Sequence, residues 1–300
     1  MKLSDNLTGA IFMMVSMAAF TVNDMFMKLM AGEIPLVQLI FLRGLLTTIA
    51  VTVLAWYMGA FNGRIAGRDR LLVAVRTGSE ICATYFFLTA LTHMPLANVT
   101  AILQALPLAI AVTAALFLGE GFGWRRVVAI IVGFAGVLLI VRPGAEGFNI
   151  YSLYGLVAVG FVTVRDLSTR RLSKETSSML VTWITALAIT VVYGAASTMI
   201  EWELMRPGQI GLLALSSGSI IAGYLFSIMV MRVGEISFIA PFRYTGLVWA
   251  LILGWLAFDE WPGGITLLGA AIVVASGVFT IIREAREGRR TPTQYGPRIR

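Results

Sequence analysis

The sequence predicts an all-α integral membrane protein: ten transmembrane helices arranged as two inverted five-helix repeats, with both termini cytoplasmic. Three observations predict it. Hydrophobic residues make up 58% of the chain and charged residues 13%, against about 45–50% and 25% in soluble domains. The apolar residues lie in continuous runs close to the ~20 residues that a helix needs to cross a bilayer, not in the every-second-residue pattern of a membrane barrel. Polar positions also recur at a nearly constant offset between the two halves.

The first run, 8–30, begins as a signal peptide does. Its apolar stretch continues through Met30 with no small-residue cleavage site, so it reads as a retained first helix. The runs 35–58, 71–91, 96–118 and 124–141 complete a first repeat over 8–141. The runs 152–171, 177–199, 210–231, 237–258 and 264–282 build a second over 152–283. Breaker residues mark the connections: Gly32-Glu33-Ile34-Pro35, His93-Met94-Pro95, Arg142-Pro143-Gly144, Arg206-Pro207-Gly208 and Trp261-Pro262-Gly263-Gly264. Residues 284–300, charged and holding Pro and Gly, read as a basic cytoplasmic tail without fixed structure.

Orientation follows from Lys and Arg. With the N-terminus inside, one set of loops and helix ends holds Arg64, Arg68, Arg70, Arg76, Arg125, Arg126, Arg170, Arg171, Lys174, Arg232 and the arginines of the tail. The opposite set holds only Arg142 and Arg206 beside Glu33, Glu146, Glu201, Glu203, Asp259 and Glu260. This is the positive-inside bias. It also accounts for the net charge of +7 and the pI near 9.9 without a nucleic-acid partner; the partners read from the sequence are the lipid bilayer and a small-molecule metabolite.

Five spans per half force the second half to enter the membrane upside down, which places a substrate site at the shared midplane. Asn23-Asp24 matches Arg165-Asp166, Lys28 matches Arg170 and Glu33 matches Glu175, each 142 positions on. A second pair of segments, Leu96–Glu120 and Ile236–Glu260, aligns at an offset of 140, with Gln104 opposite Tyr244 and Leu103 opposite Arg243. Pro107 is expected to kink the first of these, whereas Pro241 lies near the start of the second, where its effect is smaller. The segments LANVTAILQALPLAIAVTAALFLGE and ISFIAPFRYTGLVWALILGWLAFDE, together with the PFRYT run, resemble the drug/metabolite transporter superfamily of the EamA type. That resemblance covers nearly the whole chain. It implies ten helices in two inverted repeats and the transport of amino acids, nucleotide-like metabolites, vitamins or drugs, and it supplies no list of site residues.

Site candidates therefore come from charge and depth. A charge inside a bilayer costs about 2.5–3.5 kcal/mol on insertion scales, so it faces protein or water. At about 1.5 Å per residue, Asp24 and Arg43 lie roughly 10–14 Å below the outer surface, Glu80 lies near the middle, and Arg165, Asp166 and Arg243 lie roughly 9–11 Å from the inner surface. The reading is two gate layers: an outer one of Asp24, Arg43 and Glu80, and an inner one of Asp166 with Arg165 or Arg243. The plainer alternative is that these charges merely join helices. Asn23, Gln104, Tyr224, Tyr244 and Trp249 complete the substrate-binding or gating set, the aromatic residues as stacking surfaces or packing. Asp24 or Glu80 is also a candidate proton carrier, with proton coupling and passive exchange both open. Lys28 snorkels to the surface. The small-residue face Gly246, Ala250 and Gly254 serves packing within the chain or a weak homodimer.

Function is narrowed by what is missing. One His and one Cys give no metal cluster, and neither HExxH, GxSxG nor GxxxxGK[ST] occurs. The sequence reads as a secondary transporter, exporter, importer or exchanger, without cofactor and not an enzyme. An integral membrane enzyme or a non-transporting receptor stands as the alternative.

Overall fold

The computed structural model describes residues 5–118, 124–141, 149–173, 175–230, 233 and 236–290. Glu120, Glu146, the Arg142-Pro143-Gly144 connection, Lys174, Arg232 and residues 291–300 lie outside them. The described helices are α1 (Asp5–Met30), α2 (Leu36–Tyr57), α3 (Arg70–His93), α4 (Leu96–Leu103), α5 (Leu106–Leu118), α6 (Trp124–Val141), α7 (Tyr151–Arg170), α8 (Ser178–Ser197), α9 (Pro207–Val230), α10 (Ile236–Ile239), α11 (Thr245–Phe258) and α12 (Gly264–Arg290). Among the described residues, seven helical stretches are long and apolar enough to cross a membrane, and Val127–Val141 and Gly264–Thr280 are shorter apolar helices. α7 is not among the seven, since Arg165, Asp166 and Arg170 stand in its last turns.

Local chemistry sets the boundaries. Gly32 turns the chain at φ 88°, a left-handed conformation open to glycine. Pro35 and Pro95, both at φ −54°, lead into α2 and α4, and Pro207 opens α9, where its missing N–H is no loss. Ser177 caps α8, its Oγ accepting from the Leu180 N–H at 3.3 Å.

Two long apolar runs break where single helices were expected. The first ends α4 at Leu103, turns through Gln104–Ala105 and restarts as α5, with Pro107 in its first turn. Pro107 thus interrupts the helix instead of kinking it. The second passes from α10 through a 3₁₀ turn, Ala240–Tyr244, before α11 begins. Pro241 has the larger effect there: it lies inside the 3₁₀ turn. The carbonyls that proline frees are tolerable only inside protein or beside water. A third departure is at the tail. α12 continues through Arg290, because REAREGRR is rich in helix-forming Glu, Ala and Arg.

The dominant helix pairs are α1–α9, α3–α7, α2–α8 and α6–α12, with α11 against α1 and α4, and α4 and α5 against α7. Small and hydroxylated residues let these pairs close, as they do in lipid, where apolar burial gives no drive. Thr48 and Thr190 hydrogen-bond at 2.8 Å between α2 and α8. On one side of them Trp183 donates to Thr52 at 2.9 Å; on the other the Phe41 ring fills the space over Gly194. Between α6 and α12, Gly136 and Gly269 touch backbone to backbone: a Cβ added to Gly136 would stand 2.8 Å from the Gly269 carbonyl.

Loops at both ends tie the pairs. At one end the Asp69 carboxylate, 2% exposed, accepts from the Ser173 N–H at 2.9 Å, the Ser173 hydroxyl at 2.6 Å and the Thr176 hydroxyl at 2.5 Å, joining the α2–α3 and α7–α8 connections. At the other, Gln38 exchanges two hydrogen bonds with the Glu203 backbone, and Gln209 donates to Glu33 at 2.6 Å. The largest fully buried side chains, Met27, Met30, Leu39, Ile40, Leu88, Leu91 and Leu96 among them, gather at this second end, beside the α1–α2 and α3–α4 turns.

Candidate functional site

Most of the sequence-predicted charges assemble into two bonded groups. In the first, α1 supplies Asn23 and Asp24, α2 supplies Arg43 and α9 supplies Ser216. The Asn23 carbonyl accepts from Arg43 Nη1 at 3.3 Å and from Ser216 Oγ at 2.8 Å, while its amide donates to Asp24 Oδ1 at 2.9 Å. Asp24 and Arg43 therefore do not pair directly; Asn23 stands between them. Asn23 and Arg43 are buried, and α1–α9 packing holds them there through Ser16 Oγ donating to the Gly223 carbonyl at 2.8 Å and Phe20 lying edge-on to Tyr224.

The second group is built by α3 and α7. Arg165 Nη1 meets Glu80 Oε2 at 2.8 Å, and its Nη2 meets Asp166 Oδ1 at 2.8 Å. One guanidinium thus neutralises two carboxylates at once, a fixed fork that a lysine does not reproduce. Glu80 belongs here, not to the Asp24–Arg43 layer in which sequence depth placed it: α3 packs along α7, and depth says nothing about which neighbour a side chain faces. Arg76, one turn below Glu80, donates to Thr169 at 3.0 Å and to Thr185 at 2.5 Å.

Arg243 does not form the direct pair with Asp166 that was one of two expectations. Among the described residues it has no ion pair, yet it is within electrostatic reach of both Asp166 and Arg165, and its side chain is exposed. Tyr224, 40% exposed, lies within electrostatic reach of Glu80, Arg165, Arg43 and Arg76, members of both groups and their neighbour. It also lines an apolar cavity of about 330 Å³ that runs between α2, α8 and α9 past Val51, Leu54 and Trp56.

Gln104, Tyr244 and Trp249 sit at the two helix breaks. A Cβ on Gly246 would lie 3.7 Å from Gln104 Nε2 and from the Met17 sulfur, so Gln104 rests where α1, α4 and α11 converge. Tyr244 turns away from that junction: its phenol lies over Gly277 of α12, with its hydroxyl buried and unpartnered, as is Trp249 Nε1. Its expected role as a cavity donor opposite Gln104 does not fit this orientation.

Sequence reasoning missed Ser216, Arg76 and above all Lys28. Far from snorkelling, the Lys28 ammonium is 10% exposed and pairs with Glu260 at 2.6 Å. The matched acids at 120 and 260 were the available signal. His93, at the end of α3, stacks on Tyr151 with centroids 3.9 Å apart. The face formed by Gly246, Ala250 and Gly254 is spent inside the chain, against Gln104, Met17 and Leu96.

Residues 7–142 match the model of the EamA-like transporter family. The S-adenosylmethionine uptake transporter of Rickettsia conorii is 27% identical over 95% of this chain and 96% of its own. The pseudopaline exporter CntI of Pseudomonas aeruginosa is 26% identical over 90% and 94%, and a riboflavin transporter of Vibrio cholerae is 29% identical over 72% and 73%. One solved crystal structure superposes over 94% of this chain and 99% of its own, with TM-score 0.62 at 17% identity, a likeness of fold. A helical membrane fold with charges facing its interior, joined to these relatives, defines a transporter of small metabolites, not an enzyme. The first half of the chain, residues 7–142, is similar to the EamA-like transporter family, and the chain is a multi-pass protein of the bacterial inner membrane.

Proposed function

We propose that this transporter moves an anionic or zwitterionic metabolite by alternating access, with Arg243 as the cation that receives the ligand's negative group. The observation that carries the reading is the state of Arg243: its side chain is accessible, without an ion-pair partner among the described residues, and within electrostatic reach of Arg165 and Asp166. A guanidinium in that setting is stabilised only by water or by a ligand. Four arginines (Arg43, Arg76, Arg165, Arg243) face three carboxylates (Asp24, Glu80, Asp166), so the interior holds an excess of positive charge. Tyr224, which is exposed, offers a ring face for a flat substituent. Relatives that carry S-adenosylmethionine and riboflavin, both of them ring-bearing, accord with this.

The reading includes ten spans in two inverted repeats, 8–141 and 152–283, with both termini cytoplasmic. The positive-inside bias supports the orientation. Cross-half contacts support the inversion: Thr48 and Thr190 are equivalents at the 142 offset and touch each other, and exchange of the halves maps the Trp183–Thr52 contact onto Phe41–Gly194. Asp24 has no cation within ion-pair distance among the described residues, which supports it as a carrier for a coupling proton. The internal use of the α11 small-residue face supports a monomer.

Uptake of labelled S-adenosylmethionine, riboflavin and amino acids into vesicles, with and without a pH gradient, tests the reading. Arg243→Gln is expected to raise KM for the transported compound about tenfold or more, the effect of losing ~1.4 kcal/mol, with a smaller effect on Arg243→Lys. Unchanged KM in Arg243→Gln rejects the anchor. Transport by Asp24→Asn that ignores the pH gradient supports proton coupling; transport that keeps its response rejects Asp24 as the carrier.

A further inference from the structure

Among the described residues, several of the largest fully buried side chains gather around the α1–α2 and α3–α4 turns, and one charged cluster fastens these turns. The Lys28 ammonium, in the last turn of α1, donates to Glu260 Oε1 at 2.6 Å and to the Met94 carbonyl at 2.6 Å. It also lies 4.8 Å from the centre of the Phe258 ring. The second oxygen of Glu260 accepts from the Leu96 N–H at 3.0 Å, at the start of α4. Two side chains thereby tie the end of α1, the α3–α4 turn, the first residue of α4 and the end of α11. Behind them Met27, Met30, Leu88, Leu91 and Leu96 are 0–1% exposed and close the space between the same helices.

The backbone aims the acid. Asp259 adopts φ 54°, ψ 30° at the end of α11, a left-handed conformation disfavoured outside glycine and Asn or Asp. It folds the chain back so that the Glu260 N–H reaches the Gly254 carbonyl at 3.1 Å. This places the carboxylate over α4 instead of letting it extend into solvent.

Each segment so joined belongs to a different part of the transport machinery. α1 carries Asn23 and Asp24, α4 leads to the break at Gln104, and α11 follows the break that holds Arg243. A passage to the outside between them cannot open while Lys28 and Glu260 remain bonded. We infer that the Lys28–Glu260 pair is the outward lock of the transport cycle, closed in this structure and broken when the site faces outward. The assignment of this lock to the outer face rests on the orientation proposed above.

Cys82 is the sole cysteine of the sequence, so in a Cys82→Ser background a single cysteine placed by Arg243→Cys, where the native side chain is exposed, reports access to the interior. Labelling by a membrane-impermeant maleimide is measured in right-side-out and inside-out vesicles. Glu260→Gln is expected to raise labelling from the outer face about tenfold, the population shift from losing ~1.4 kcal/mol of closure, and the exchanged pair Lys28→Glu/Glu260→Lys to return it toward the native level. Outer-face labelling unchanged in Glu260→Gln protein that elutes as a single folded species overturns the lock. Labelling that rises only in inside-out vesicles overturns the orientation and leaves a lock on the opposite face. Should Glu260→Gln fail to fold, Lys28→Cys/Glu260→Cys in a Cys82→Ser background, joined by a short thiol-reactive cross-linker that spans the lost side chains, gives the decision: a cross-link that stops transport supports the lock, and transport that continues with the cross-link in place rejects it.

Discussion

Thr48 and Thr190, one on α2 and one on α8, hydrogen-bond to each other at 2.8 Å although 142 positions separate them in the chain. Thr190 also donates to the Ala186 carbonyl at 2.9 Å, so in the interhelical bond Thr48 is the donor. Hydrogen bonds between membrane helices contribute about 0.6 kcal/mol on average. Thr48→Val, which keeps the shape and removes the donor, is expected to lower stability by about 0.5–1 kcal/mol. The double variant with Thr190→Val should lose no more than either single variant plus a few tenths, and reversible unfolding in detergent checks this.

Arg165 is the shared partner of Glu80 and Asp166, with side-chain exposures of 23%, 15% and 25%. Its loss leaves two carboxylates without their cation, whereas Glu80→Gln leaves Arg165 still paired. Arg165→Gln is expected to destabilise by about 2–4 kcal/mol, somewhat below the range for fully buried pairs, and Glu80→Gln by less than half of that. Thermal unfolding of the purified variants orders them; equal losses would contradict a central role for Arg165.

The buried Tyr244 hydroxyl without a partner gives the opposite expectation from the one its sequence position suggested. Tyr244→Phe removes a desolvated donor and should be neutral or stabilising by about 1 kcal/mol, with KM for the transported compound unchanged. By contrast, Gly277→Ala puts a methyl into the phenol ring and is expected to destabilise by about 1–3 kcal/mol, as overpacking does. A transport assay and thermal unfolding on both variants check the pair of outcomes.

One oxygen of the Asp69 carboxylate takes three of the hydrogen bonds that join two connections, beside the Ala66 N–H that donates to Thr176. Asp69→Ala removes that acceptor and should expose residues 58–69 and 171–177 to faster hydrogen exchange together, since each holds the other. Exchange that rises in only one connection would show that Asp69 does not couple them.

Much of this was legible in the sequence, and particular residues show where legibility stops. Continuous apolar runs and Gly or Pro punctuation place the helices to within a few residues, because bilayer thickness and backbone satisfaction leave few choices. The charges at 24, 43, 80, 165 and 166, picked out by depth, are all bonded within the protein. Their pairing was hidden because hydropathy reports depth and not azimuth: Glu80 turned to α7, Asn23 came between Asp24 and Arg43, and Arg243 stayed unpaired. Lys28 was misread for a similar reason. A lysine near a helix end satisfies the snorkelling pattern whether or not an acid from 232 residues further on waits beside it. Pro107 signalled a disturbance, but a kink and a complete break differ only in what neighbouring helices support.

The major helix pairs α1–α9, α2–α8 and α3–α7 draw one member from each half of the chain. During synthesis the early helices therefore enter the bilayer before the surfaces they bind have been translated. Until α9 and α8 arrive, Ser16, Asn23 and Thr48 lack their partners Gly223, Ser216 and Thr190, and the nascent half must shelter these groups in water, at the translocon or against an insertion factor. A chain stopped at residue 141 never gains those partners. Quality control in the membrane thus has a concrete feature to detect in an incomplete copy: Ser16, Asn23 and Thr48 held in lipid without their partners from the second half.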